Sequence, residues 1–119
     1  MVQNEFKDHE SIQDVIQNRF RGNLEFYKKM IELFFDTLQG YLERIGEGLA
    51  TKNSEKVKYA AHSIKGSAAN LGALTLHSLS EKLEYQSDNM NGSSDLTILF
   101  EQLKTELNKF KEYSATFNQ

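Results

Sequence analysis

Residues 24–49 read LEFYKKMIELFFDTLQGYLERIGEGL, and this stretch decides the fold. Its apolar side chains recur every three or four positions, which is the spacing of one face of an α-helix. Gly46 and Gly48 predict that the last turn frays, because glycine is a poor helix former. The sequence therefore predicts one long amphipathic helix. Its apolar stripe is Leu24, Tyr27, Ile31, Phe34, Leu38, Leu42, Ile45 and Leu49, widened by Phe35 and Tyr41.

A short helical pattern precedes this helix. Ser11 and Asp14 resemble a capping box at its start. Gly22 is expected to end the short helix, and Asn23 to cap the next one. The apolar residues of the short helix are Ile12, Val15, Ile16 and Phe20.

Three more helical patterns follow the long helix, and none of the segments alternates polar and apolar residues as a strand does. Gly72 is expected to end the third helix, whose stripe includes two alanines that allow a neighbour to approach closely. The sequence predicts a turn at 51–54 with Asn53 or Ser54 as the cap, a helix over about 55–71, a fourth from about 76 to 88, a loop at 89–94 and a fifth from about 94 to 113.

These patterns predict an all-α fold, namely an antiparallel four-helix bundle with a short additional N-terminal helix that caps one end. All 119 residues are expected to form a single domain, with a core at roughly 11–113. A coiled-coil oligomer is disfavoured because the apolar stripes are wide and loops interrupt them. A monomer is expected, since no second exposed apolar stripe is evident.

Composition excludes several classes of protein. The chain has no cysteine, which excludes disulfides and thiolate metal sites. A net charge of −3 argues against nucleic-acid binding. No apolar run approaches the roughly 20 residues that cross a bilayer, and the N-terminus lacks the regions of a signal peptide. We therefore expect a cytoplasmic protein that does not associate with membranes.

The third helix carries an unusual solvent-facing surface. With Val57 pointing to the core, His62 lies roughly 140° and Gly66 roughly 180° from the core direction. Lys65 and Ala69 lie roughly 80° and 120° away. The side chains predicted to neighbour His62, at spacings of three or four residues, are those of Lys58, Tyr59 and Lys65, together with the bare position of Gly66.

Each of these groups has a chemical use. Neutral imidazole is a good nucleophile, and a nearby ammonium disfavours the protonated ring, so Lys65 is expected to keep His62 reactive. The same ammonium can pair with phosphoryl oxygens. Gly66 leaves room for a partner, and the small side chain of Ala69 does not obstruct that partner's approach. The plain alternative is that His62 and the lysines are ordinary surface residues, that Gly66 permits close helix packing, and that Ser63, Ser67 and Asn70 have only surface or backbone roles.

The stretch His62-Ser63-Ile64-Lys65-Gly66-Ser67, followed by Asn70-Leu71-Gly72-Ala73, resembles the signature of histidine-containing phosphotransfer (HPt) domains. Residues 79–84, LSEKLE, resemble the following helix of that family, and the resemblance runs from about 12 to 113. It implies a four-helix bundle with His62 as phosphoacceptor, Lys65 as the cation on the phosphate side and Gly66 as clearance. The other candidate phosphate- or partner-binding residues are Lys58, Tyr59, Ala69 and Ser67.

The resemblance also implies partners and cofactors. In that family the phosphoryl group moves between an aspartate of a receiver domain and the histidine. Mg²⁺ belongs to the receiver, so we expect no cofactor on this chain and no kinase activity of its own. The expected partners are receiver domains of response regulators or a hybrid sensor histidine kinase.

Three other functions are weighed against phosphotransfer. An adaptor of the same fold would bind receivers without transferring phosphate. A metal-binding bundle is disfavoured, because His9, His62 and His77 lie far apart in sequence and neither Glu-x-x-His nor His-Glu-x-x-His occurs. Serine catalysis is unsupported, because the side chain of Ser67 diverges from that of His62 on a helix and no nucleophile elbow is present.

Overall fold

The structure is a computed structural model that describes residues 6–90 and 94–118. Within these residues every regular element is helical, as predicted. The predicted loop at 89–94 lies partly outside the described residues. The helices are α1 (His9–Asn18), α2 (Leu24–Thr51), α3 (Ser54–Leu71), α4 (Leu74–Gln86) and α5 (Ser94–Ala115), and a short 3₁₀ helix (Thr116–Asn118) follows α5.

The four long helices pack as a bundle in chain order. α2 packs on α3, α3 on α4, and α4 on α5, while α5 returns to α2. Because the connections are short, consecutive helices run antiparallel. The core lies along the bundle axis, and its largest fully buried side chains include Tyr27, Ile45 and Phe110. The predicted apolar stripe of α2 is buried or partly buried throughout, so the bundle prediction is confirmed. The same holds for the stripes predicted on the third and fifth helices, which are Val57, Ala61, Ile64, Ala68 and Leu71 on α3 and Leu96, Leu99, Phe100, Leu103, Leu107, Phe110 and Tyr113 on α5.

The helix starts follow the predicted asparagine caps. Asn23 Oδ1 accepts a hydrogen bond from the Phe26 amide at 3.0 Å, and Asn53 Oδ1 accepts one from the Lys56 amide at 3.1 Å. Each bond satisfies one amide that the first turn of a helix leaves unpaired. The choice between Asn53 and Ser54 is thereby resolved in favour of Asn53.

The predicted capping box of Ser11 is wrong. α1 begins at His9, so Ser11 lies inside the helix and Asp8 precedes it without bonding to α1 through its side chain. The buried carboxylate of Asp8 instead accepts hydrogen bonds from the Thr75 amide (2.8 Å) and the Thr75 hydroxyl (3.0 Å). Asp8 therefore caps the first turn of α4 from a distant part of the sequence.

The glycines show where helices end and where they touch. α1 ends at Asn18, before the expected Gly22, and the chain reverses through Arg21 (φ 54°) and Gly22 (φ 74°). Fraying at Gly48 is also a wrong prediction, because α2 runs on to Thr51. A Cβ on Gly48 would lie 2.6 Å from Val57 Cγ2, so the missing side chain lets α2 and α3 approach closely.

The turn between α3 and α4 is held from several directions. Gly72 ends α3 in the left-handed conformation (φ 80°), as predicted. The Tyr27 hydroxyl donates a 2.6 Å hydrogen bond to the Leu71 carbonyl, and burial, with a smaller contribution from Tyr113, raises the pKa of Tyr27. Arg19 Nη1 donates to the Asn70 carbonyl at 2.9 Å. These bonds satisfy carbonyls at the end of α3 and fix the direction in which α4 leaves.

A second apolar stripe is partly exposed, contrary to the sequence analysis. Phe26 is 50 % and Leu33 56 % exposed on α2, with Met30 partly buried between them. Met30 and Leu33 line a groove that reaches Ser67 on α3. Phe26, Met30 and Leu33 give no separate signal in the sequence, because the core-facing residues beside them, such as Leu24 and Tyr27, have the same spacing. The absence of such a stripe therefore no longer supports a monomer. No helix within the described ranges is long and apolar enough to cross a membrane.

Candidate functional site

His62 lies near the middle of α3 and projects into solvent. Its side chain is 63 % exposed. The apolar stripe fixes this orientation, because Ala61, Ile64 and Ala68 are buried on the opposite side and set the rotation of the helix. The predicted exposure of His62 is thereby confirmed.

A carboxylate from α4 contacts the His62 ring. Glu84 Oε2 lies 2.9 Å from His62 Nδ1, and Glu84 Oε1 lies 2.8 Å from Lys65 Nζ. The side chain of Glu84 is only 20 % exposed, since it lies between the two helices. One carboxylate therefore connects the exposed ring to the nearest lysine.

Sequence reasoning missed Glu84, although the hairpin contains a signal for it. α3 and α4 are antiparallel around a tight turn, so residues equally distant from Ala73 face each other. His62 and Glu84 are each 11 residues from Ala73 and form a contact. Lys58 and Asp88 are each 15 residues from Ala73 and form an ion pair at 3.4 Å. Placing the hairpin axis at the predicted turn would have found Glu84.

The charges of this contact reinforce one another. Hydrogen bonding to Glu84 raises the pKa of Lys65. Burial raises the pKa of Glu84, but Lys65 and His62 outweigh burial, so the pKa of Glu84 is lowered overall. Glu84 is therefore a carboxylate and Lys65 an ammonium at neutral pH. The sequence analysis expected Lys65 to act directly on the His62 ring. In the structure Glu84 lies between the two groups and contacts both.

The contact with Glu84 selects one tautomer of the neutral ring. A carboxylate can only accept a hydrogen bond, so the proton of neutral His62 lies on Nδ1. Nε2 then keeps its lone pair. No hydrogen-bond partner of Nε2 occurs among residues 6–90 and 94–118. Nε2, which keeps its lone pair, is thus the nucleophilic nitrogen.

The surface beside the ring is open at Gly66. Within residues 6–90 and 94–118, a Cβ placed on Gly66 would have no atom of another helix within 4 Å, and the residue is exposed. The glycine is therefore not needed for helix packing, which removes the plain alternative for this position. Ala69, one turn further on, is partly buried and adds little height.

The remaining candidates, Tyr59, Lys58 and Ser67, lie on the same helix as His62. Tyr59 is 62 % exposed, and its carbonyl accepts a bond from the Ser63 hydroxyl. Lys58 is engaged by Asp88. Ser67 is exposed but faces the groove toward α2, on the flank opposite Glu84. The structure thus places Lys65 and Gly66 one turn after His62 and Lys58 and Tyr59 one turn before it, and it separates Ser67 from the ring.

The three histidines occupy different surroundings. His9 Nδ1 lies 2.6 Å from the Tyr113 hydroxyl, and His77 Nδ1 lies 3.4 Å from the Lys65 carbonyl. In the part of the chain that the structure describes, no three His, Asp or Glu side chains are grouped so as to hold a metal ion. The structure therefore gives no support to a metal-binding bundle.

Comparison with known proteins agrees with this geometry. A family model described as "Hpt domain" matches residues 29–113. The phosphorelay intermediate protein YPD1 of Candida albicans is 32 % identical over 66 residues, which are 56 % of this chain and 36 % of that protein. The match thus spans about a third of the length of this curated relative. The crystal structure of histidine-containing phosphotransfer protein B from Pseudomonas aeruginosa PAO1 superimposes with a TM-score of 0.73 at 22 % identity, covering 89 % of each chain. At that identity the likeness supports the helical-bundle fold alone.

Proposed function

The chain belongs to the Hpt domain family, and from this premise we propose that it is a phosphorelay intermediate. His62 accepts a phosphoryl group from the aspartate of a receiver domain and passes it to the aspartate of another receiver. One observation carries the proposal, namely that Nε2 of the exposed His62, which has no partner among the described residues, lies beside the open surface of Gly66. A nucleophile and room for a second protein occur there together.

The transfer step uses the tautomer that Glu84 selects. Nε2 attacks the phosphorus of the receiver's aspartyl phosphate, a nitrogen–phosphorus bond forms, and the aspartate leaves as a carboxylate. Phosphoryl transfer depends mainly on positioning and on neutralising charge on the phosphoryl oxygens. Lys65 is the nearby cation for those oxygens, because its flexible stem can leave Glu84 and approach Nε2. Return transfer reverses the same bonds.

The partners bring what this chain lacks. We infer that the receiver domain, alone or as part of a hybrid sensor histidine kinase, supplies the Mg²⁺ and the remaining catalytic groups. We also propose that the chain is a phosphocarrier that binds no cofactor and has no kinase activity of its own, which the match to the Hpt family supports. We further propose that it works in the cytoplasm as a single domain.

Transfer from phosphorylated receivers tests the proposal. Wild type, His62→Gln and the control His77→Gln would be incubated with a panel of receivers carrying labelled phosphate and Mg²⁺. We expect label on wild type and His77→Gln, and none on His62→Gln. The label should be stable in base and lost in acid, as expected of a phosphorylated histidine.

The adaptor function predicts a different result. In that case the receivers would bind wild type and His62→Gln equally, and neither protein would gain label. Absence of labelled His62 with every receiver that binds would overturn the phosphorelay proposal. The intact His62, Lys65 and Gly66 favour transfer, since an adaptor needs no nucleophile.

A further inference from the structure

The hydrogen bond between His62 and Glu84 has a consequence for the phosphorylated state. Once Nε2 carries a phosphoryl group, the ring holds a proton on Nδ1 as well and is formally cationic. Glu84 Oε2, at 2.9 Å from Nδ1, is the acceptor for that proton. A charge-assisted bond of this kind favours the charged form of the donor.

We propose that Glu84 is a positioning residue that keeps the proton on Nδ1 after phosphorylation and thereby keeps phosphorylated His62 a good phosphoryl donor. The inference deepens the proposed function and rests on it for its biological meaning. It concerns the loss of the phosphoryl group from His62, which we call discharge, whereas the choice of Nε2 as nucleophile concerns the uptake of that group.

The chemistry of discharge explains why the proton matters. An oxygen nucleophile, either the second receiver's aspartate or water, attacks phosphorus, and the nitrogen–phosphorus bond breaks with its electron pair returning to Nε2. If Nδ1 keeps its proton, the leaving group is neutral imidazole. If Nδ1 has lost its proton to solvent, the leaving group is an imidazolate anion, which is far more basic and leaves far more slowly. The carboxylate thus extends rapid discharge to higher pH.

The surroundings of Glu84 are suited to this role. Its side chain is largely buried, so solvent screens its bond to Nδ1 less than it screens an exposed pair. Before phosphorylation Lys65 Nζ forms an ion pair with the other oxygen at 2.8 Å, so the carboxylate already directs Oε2 at Nδ1 when the phosphoryl group arrives. Among the described residues, α5 contributes no charge to this contact. The charged groups on the two helices around it are Lys58 and Lys65 on α3 and Glu81 and Asp88 on α4.

The test measures loss of phosphate from His62 without any partner protein. Wild type, Glu84→Gln and Glu81→Gln would be phosphorylated chemically with phosphoramidate, and hydrolysis would be followed by ³¹P NMR from pH 5 to pH 10. Glutamine still accepts a bond from Nδ1, so Glu84→Gln removes the charge and keeps an acceptor. Glu81→Gln is the matched control. Glu81 is an exposed carboxylate on the same helix whose charge raises the pKa of Lys65, but it forms no hydrogen bond or ion pair with His62.

For Glu84→Gln we expect the fall in hydrolysis rate to begin about 0.5 to 1 pH unit lower than in wild type. Near pH 8 this corresponds to phosphate loss about three- to tenfold slower than in wild type. Glu81→Gln should follow wild type. Circular dichroism at each pH verifies that all three proteins remain folded.

Two outcomes would overturn the inference. The first is a Glu84→Gln profile that superimposes on wild type, and the second is an equal shift in Glu81→Gln, which would indicate a general effect of charge. Failure of the phosphorelay proposal would give a different result. Chemically phosphorylated His62 would then lose its phosphate with the expected pH profile, but His62 would accept no phosphate from receivers.

Discussion

Substituting Gly66 should raise stability and lower phosphotransfer at the same time. The position is exposed within α3, and in the described part of the chain an added Cβ meets no atom of another helix within 4 Å. Gly66→Ala should therefore stabilise the fold by about 1 kcal/mol, the ordinary difference in helix propensity. For a domain of this size that corresponds to a rise in Tm of about 3–5 °C. Gly66→Leu should be similarly stable, because leucine is also a good helix former.

The loss of transfer follows from the distances that the reaction requires. The reacting nitrogen and phosphorus must approach to about 3–3.5 Å, and a displacement of 1 Å can cost about 100-fold in rate. A leucine side chain beside His62 prevents a receiver from closing over the ring, so Gly66→Leu should slow transfer by about 100-fold. The methyl group of Gly66→Ala should cost about tenfold or less on the same argument.

Thermal unfolding and the initial rate of receiver-to-His62 transfer measure the two effects. Gly40 supplies the matched control. It is also an exposed helical glycine whose added Cβ would meet none of the described residues within 4 Å, but it lies on α2. Gly40→Ala and Gly40→Leu should gain similar stability and transfer at the wild-type rate. If Gly66→Leu accepted phosphate at the wild-type rate, a partner would not close over the surface at Gly66. If Gly66→Ala were less stable than wild type, the space beside Gly66 would not be open.

Three further predictions concern buried groups and pH. Tyr27→Phe removes the donor to the buried Leu71 carbonyl and should cost about 1–3 kcal/mol in urea unfolding. Ser80→Ala should stabilise by about 1 kcal/mol, since the fully buried Ser80 hydroxyl has no hydrogen-bond partner in the described part of the chain. The pKa of Glu84 lies below its usual 4.5 and that of Lys65 above its usual 10.5, so their pairing is lost as pH falls through the first or rises through the second. The unfolding free energies of wild type and Lys65→Met should therefore differ most between about pH 5 and 10 and converge outside that range.

Local sequence patterns predicted most of the fold, because helix periodicity and helix capping depend on residues within a few positions of one another. Helical periodicity identified all five helices, and short polar side chains before apolar runs identified the Asn23 and Asn53 caps. The errors arose where a distant segment decides the local structure. Gly48 does not fray because Val57 of the next helix packs against it, and Asp8 binds Thr75 rather than its own helix. Neither contact leaves a signal within one turn of sequence.

The candidate site was predictable to a similar extent. The exposure of His62 follows from the apolar stripe of α3 alone, and so does the outward direction of Gly66. Glu84 does not follow from that stripe, because it depends on the register of two helices. The expectation that Lys65 acts directly on the ring was incomplete for the same reason. Helix periodicity states which way a side chain points but not which residue of the next helix it meets.

The register of the α3–α4 hairpin depends on residues outside the stretch that defines the family. The family match covers residues 29–113, whereas Asp8, Arg19 and Tyr27 lie before it. Tyr27 and Arg19 bind carbonyls at the end of α3, and Asp8 binds the first turn of α4. A shift of one residue in this turn would move Glu84 about 100° around its helix and away from His62. Asp8, Arg19 and Tyr27 therefore help to hold the turn that places Glu84 against His62.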